Sequence, residues 1–187
     1  TVTLLTSGTC TVTADQAGND DYNAATQVTL DIGVAKADQT ISGLAADPAA
    51  GVVDGSSSLS ATASSGLAVA FGSSTPGVCT VAGSTVSYLA AGTCTVTADQ
   101  SGDDDYNAAP QVTLDITVAK ADQVITDFIA TPANGDVGDM PVLSATGGAS
   151  GNPVTFGSNT LSVCTVSGNT VTLLTSGTCT VTADQAG

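Results

Sequence analysis

The chain has 187 residues, of which 17 are acidic and two are lysine, for a formal net charge of −15. Every acidic residue is Asp, and Glu, Arg, His and Trp are absent. This balance excludes partners that must be met with basic residues, namely nucleic acid and anionic membrane surfaces; it fits solubility, repulsion between neighbours and divalent cations.

Poor in helix formers and rich in Thr, Val, Ser and Gly, the sequence predicts strands and turns. No apolar run nears the roughly 20 residues of a membrane helix. No signal peptide is visible, and the first residue is a Thr inside a strand pattern. One stretch organises the rest: Gly-Thr-Cys-Thr-Val-Thr-Ala-Asp-Gln begins at Gly8, at Gly92 and at Gly177. Its cysteines, Cys10, Cys94 and Cys179, therefore recur 84 and 85 positions apart. A period of that size signals repeated domains. Within a copy, Cys94, Val96 and Ala98 share one face, and Thr95, Thr97 and Asp99 share the other. This alternation is that of a half-buried strand. Residues 1–18 are identical to residues 170–187, so the chain reads as a window from a longer array or as the repeating unit of a fibre.

In chain order, residues 1–35 are the C-terminal half of a repeat. They comprise a strand at 1–5, a turn at 6–8, the signature strand at 9–16, an acidic loop at 19–23 and a last strand at 27–34. Val28, Leu30 and Ile32 form the inner face of that last strand. Residues 36–119 are a complete repeat, entered without a Gly/Ser linker. A first strand at 37–44 and a turn at 48–55 lead to a second strand lined by Leu59, Ala61 and Ala63. Leu67, Val69 and Phe71 line a third. After a turn at 73–77, Cys79 and Val81 face inward on a fourth, and Gly83-Ser84 makes a hairpin. Val86 and Tyr88 carry the fifth strand and residues 94–98 the sixth. Beyond the acidic loop 103–107, Val112, Leu114, Ile116 and Val118 carry the seventh. Seven short alternating strands in about 85 residues predict an all-β antiparallel sandwich of immunoglobulin type. Residues 120–187 are the N-terminal part of a further repeat, with strands at 124–129, 143–146, 154–156, 164–166, 171–173 and 179–184. This part lacks the last strand and leaves an apolar edge. Residues 19–35 of another copy would fill it by strand addition, unless the same chain continues past residue 187.

The runs Leu59-Ser-Ala-Thr-Ala-Ser-Ser-Gly-Leu, Val78-Cys-Thr-Val, Ala91-Gly-Thr-Cys-Thr-Val-Thr-Ala, Tyr106-Asn-Ala-Ala-Pro and Val118-Ala-Lys-Ala-Asp-Gln carry a resemblance. They resemble the tandem bacterial Ig-like repeats of large secreted or cell-surface, adhesin-type proteins, over the whole chain. The resemblance implies an extracellular setting and service as stalk, spacer or adhesin scaffold, with no catalytic motif.

Cys79 and Cys94 are 15 apart, as are Cys164 and Cys179, and all four fall on inward faces. We read each pair as an intradomain disulfide, with buried free thiols as the alternative. The partner of Cys10 would lie before the first residue. A disulfide implies an oxidising compartment. Zinc is disfavoured, since no CxxC spacing and no His is present.

In the acidic loops, Asp103, Asp104 and Asp105 with Asp99, and Asp20 with Asp21, offer the oxygen ligands calcium prefers, with Asp38 and Asp122 at the repeat junctions. The alternative is a solvated turn, because Asp and Asn suit turns. Tyr22 and Tyr106 are expected to plug the end of a sandwich. Lys36 and Lys120 occupy equivalent junction positions, read either as isopeptide donors or as surface lysines guarding a strand end. Without His there is no Ser-His-Asp or Cys-His arrangement, so we expect no enzyme.

The expected function is a structural segment of an extracellular bacterial stalk or filament, whose partners are neighbouring repeats or other copies of itself. The alternative is an adhesin module binding a glycan or protein through its end loops, with calcium. Three Tyr, three Phe and no Trp make poor material for such a binding surface.

Overall fold

The computed structural model describes every residue, Thr1–Gly187. It is all-β, with sixteen strands and no helix. No helix of the chain is long and apolar enough to cross a membrane. The chain divides into two compact units, Thr1–Ala121 and Asp122–Gly187.

In the first unit, β1 (Gly8–Ala14) and β2 (Val28–Val34) form a two-stranded antiparallel sheet, in register from Gly8↔Val34 to Ala14↔Val28. Eight strands follow: β3 (Ile41–Asp47), β4 (Gly51–Val52), β5 (Ser56–Ala63), β6 (Ala70–Ser73), β7 (Cys79–Ala82), β8 (Thr85–Tyr88), β9 (Gly92–Asp99) and β10 (Val112–Ala119). They make two four-stranded sheets, ordered β3-β5-β8-β7 and β4-β10-β9-β6. All pairings are antiparallel except β4 with β10.

Side-chain parity explains how these sheets meet. Leu59, Cys79, Val86 and Tyr88 come from one sheet, and Cys94, Val96, Ile116 and Val118 from the other; together they are the buried core. Alternation puts each on the inner face, so the two sheets close over a shared apolar layer in a β-sandwich. The Tyr88 hydroxyl donates to Ser57 Oγ at 2.6 Å, and Ser57 donates to the Pro48 carbonyl at 2.8 Å. Buried hydroxyls are thereby satisfied, which removes most of their desolvation cost. Strand β4 lies against the same ring: a Cβ on Gly51 would sit 2.6 Å from it, so only glycine fits.

Several elements differ from expectation. The first strand of the repeat runs from Ile41 to Asp47, with a bulge between Ser42 and Ala45, rather than over 37–44. The preceding residues are engaged elsewhere. Ala37 bridges Tyr106, and its amide and carbonyl bond Asp105 and Asn107, each at 2.8 Å. The expected turn at 48–55 contains β4, and the third strand is confined to Ala70–Ser73. Residues 1–5 lie outside any strand.

The second unit contains β11 (Thr126–Thr131), β12 (Val142–Thr146), β13 (Val154–Ser158), β14 (Cys164–Ser167), β15 (Thr170–Leu173) and β16 (Val181–Gln185). Their sheets are β11-β12-β15-β14 and β13-β16. Leu143, Cys164 and Val171 are buried, and Phe156, Leu173, Cys179 and Val181 pack half-buried around them. The expected strand at 179–184 begins only at Val181. In the first unit, the matching residues Gly92 to Thr95 are paired with β10, from Val118↔Gly92 to Asp115↔Thr95. Here no such strand is paired to residues 177–180, and a strand without a ladder partner ends.

Candidate functional site

The structure builds two kinds of tie, a disulfide within each unit and a set of hydrogen bonds that meet at the loop carrying Asp103, Asp104 and Asp105.

Strands β7 and β9 belong to different sheets, and inward parity at Cys79 and Cys94 brings their sulfurs together. The S–S distance is 1.92 Å, with χ3 of 85° and Cα atoms 5.7 Å apart. Cys164 and Cys179 are joined at 1.92 Å, with χ3 of 85° and Cα atoms 5.6 Å apart. A polar turn accompanies each bond. Ser73 Oγ and Thr75 Oγ1 lie 3.3 and 3.6 Å from Cys79 Sγ, and Ser158 Oγ and Thr160 Oγ1 lie 3.3 and 3.5 Å from Cys164 Sγ. The threonine hydroxyls also accept from the amides of Thr95 and Thr180, at 2.9 and 2.8 Å. Sequence reasoning missed this turn. Its signal is the same Ser-x-Thr before the first cysteine of each pair. Cys10 is a free, half-buried thiol on β1, opposite Ile32.

The second tie gathers at the loop 103–107, which Ser7 reaches from residues 1–35 and which the opening residues of the complete repeat also bond. The Ser7 amide donates to Asp105 Oδ1 at 2.6 Å, and the Ser7 hydroxyl donates to the Asp104 carbonyl. Lys36 Nζ donates to the Asp103 carbonyl at 2.5 Å. Asn107 Nδ2 donates to Asp38 Oδ1 at 2.9 Å. Behind them lies Gln39, 2% exposed, whose Nε2 reaches Gln100 Oε1 at 2.6 Å and the Asn107 carbonyl at 2.7 Å. Ser65 Oγ donates to Gln39 Oε1 at 2.5 Å. The two glutamines were also missed, although each recurs, as Gln123 and Gln185. In the second unit Gln185 bonds the backbone of Gly148 and Asn152 at 2.7 and 2.6 Å.

The acidic loops serve as turns. Asp103 Oδ1 accepts from the amides of Asp105 and Tyr106, both at 2.9 Å, and Asn19 Oδ1 accepts from those of Asp21 and Tyr22, at 3.0 and 2.8 Å. These are Asx turns, in which the side chain mimics a backbone acceptor. Asp99 Oδ1 is engaged by Gln111 Nε2 at 2.7 Å. Asp99, Asp103, Asp104, Asp105, Asp20 and Asp21 are not brought into one set: no three Cys or Asp side chains gather as a cation-binding group. Tyr106 is half-buried, but Tyr22 is 76% exposed and plugs nothing. Lys36 and Lys120 are exposed, and Lys36 meets a backbone carbonyl rather than a carboxyl, so the isopeptide arrangement is not formed.

No family model matches the chain. No curated protein matches it. Among solved structures it is similar to two segments of surface layer protein SbsC. Domains 4–9 are 18% identical, with 79% of this chain and 29% of that chain covered and a TM-score of 0.33. Domains 1–6 are 16% identical, with 96% and 25% covered and a TM-score of 0.29. The chain thus spans less than a third of either structure's length.

Proposed function

We propose that the chain is a structural segment of an extracellular bacterial stalk or filament, in which Ig-like sandwiches of about 85 residues follow one another end to end. The observation that carries this reading is that Ser7 and Lys36, on either side of the repeat boundary, both hydrogen-bond the loop at Asp103, Asp104 and Asp105. Such a joint suits a load-bearing scaffold, where a binding module on a flexible tether would have a Gly/Ser linker. The strand order supports the Ig assignment. Setting β4 aside, the first, second, fifth and fourth strands of residues 36–119 share one sheet, and the third, sixth and seventh share the other. That is the arrangement of constant-type immunoglobulin domains. The two disulfides support an oxidising, extracellular compartment. The role is one of scaffold, not catalyst, and needs no cofactor. Antibody raised against the chain and applied to intact producing cells tests the reading: decoration of the surface is expected, and signal only after lysis overturns it.

A further inference from the structure

Lys36 and Lys120 are the two basic residues of the chain. A trypsin-class protease, whose acidic pocket takes Lys or Arg, therefore has two sites in it, Lys36–Ala37 and Lys120–Ala121. Residues 34–39 and 118–123 are the same six, Val-Ala-Lys-Ala-Asp-Gln. A protease reading only the adjoining sequence would treat the two bonds alike. Both lysines are also exposed. Their hydrogen bonding is what differs.

A protease takes its substrate as an extended segment, bonded main chain to main chain like an added strand, with the side chain before the scissile bond in a pocket. At Lys36–Ala37 each of these groups is already engaged. Lys36 Nζ donates to the Asp103 carbonyl at 2.5 Å. The Ala37 amide donates to the Asp105 carbonyl, and the Ala37 carbonyl accepts from the Asn107 amide, both at 2.8 Å. Ala37 is thereby paired as a parallel bridge with Tyr106. One residue on, Asp38 Oδ1 accepts from Asn107 Nδ2 at 2.9 Å, and Gln39 is buried. On the other side, Val34 closes the ladder of β2 with β1, opposite Gly8. Ala121, by contrast, makes no main-chain hydrogen bond.

We infer that the loop 103–107 is a strap that keeps trypsin-class proteases off the Lys36–Ala37 bond. It occupies the strand position the enzyme needs, and it holds the ammonium group that the enzyme's pocket would take. The strap keeps its shape through Asp103 Oδ1, which accepts from the amides of Asp105 and Tyr106. Cleavage requires the strap to lift, so its rate follows the population of that opened form rather than the exposure of the lysine. The strap is a property of residues 34–107 and stands or falls apart from the array reading.

Trypsin digestion of the folded, oxidised chain, followed in time by mass spectrometry, is the test. Cleavage at Lys120–Ala121 is expected to be at least tenfold faster than at Lys36–Ala37, so that residues 1–120 accumulate. In the reduced chain unfolded in urea the two rates should converge, because the six flanking residues are the same. Asp103→Ala combined with Asn107→Ala removes the turn acceptor and the bond to Asp38. This double variant is expected to raise cleavage at Lys36–Ala37 about tenfold and to leave that at Lys120–Ala121 unchanged. Equal rates at the two bonds of the folded chain overturn the inference. So does an undiminished lag at Lys36–Ala37 in the double variant, or a lag that persists in the unfolded chain.

Discussion

Strands β9 and β16 form within two copies of the same nine-residue stretch, residues 92–100 and 177–185, one covered by a last strand and one not. In β9, Cys94, Val96 and Ala98 are fully buried. The matching Cys179, Val181 and Ala183 are half-buried, and the strand loses its first four residues. The difference teaches that the last strand does two separable things. It supplies the ladder that keeps residues 92–95 extended, and it supplies Ile116 and Val118 as the lid of the core. Strand β2 makes the converse point: in nearly the same sequence Val28 and Leu30 are exposed and Ile32 and Val34 only half-buried.

The largest expected effect is the clearest way to break this comparison. Ile116→Ala should destabilise the first unit by about 2–5 kcal/mol in urea denaturation, through lost burial and a residual cavity. Ile32→Ala, at the matching place in β2, should cost about 1 kcal/mol or less. Equal costs would mean that β2 already covers a core. Removal of either disulfide comes next. Both close 15-residue spans, so Cys79→Ala with Cys94→Ala, and Cys164→Ala with Cys179→Ala, should each cost about 3 kcal/mol. A marked inequality would show that packing around the bond, not loop closure, sets its worth.

The two units also differ in how they treat one buried pair. Ser57 and Tyr88 of the first are Pro141 and Leu173 in the second, a bonded polar pair against an apolar one. Ser57→Ala should cost about 1–3 kcal/mol by leaving the tyrosine hydroxyl unpaired. Adding Tyr88→Phe should recover part of that loss, a coupling that a double-mutant cycle measures. The smallest energetic effect is at the joint, where Ser7→Ala or Asp105→Asn should cost about 1 kcal/mol or less. Hydrogen exchange sharpens the comparison without mutation: amides of residues 92–95 should be protected and those of residues 177–180 should exchange early.

Much of the fold was legible because face parity is local. The alternation of Cys94, Val96 and Ala98, or of Ile116 and Val118, marks the buried face from the sequence alone. The joint was legible only in part. The acidic loop and Lys36 stood out as charged turn material, but their partners did not, since Ser7 lies 98 positions from Asp105. Gln39 and Gln100 are 61 positions apart and look like ordinary polar residues until the fold buries one against the other. The carboxylates of the loop suggested a cation; in the structure Asp103 and Asp105 accept from backbone amides, partners that a reading of loop composition does not supply.

The identical segments 1–18 and 170–187 divide the two contributions. In both, the sequence by itself determined which residues are apolar, which faces they share and where the bend before Gly8 or Gly177 falls. Tertiary structure decided the rest. Thr170–Leu173 is a strand, paired to β14 and β12, while residues 1–4 have no partner and form none. Gly8–Ala14 is a strand throughout because β2 runs beside it, while the matching segment is a strand only from Val181, where β13 begins to pair with it. Alternation is written along one chain, but a ladder needs two, and the second is brought from elsewhere in the fold.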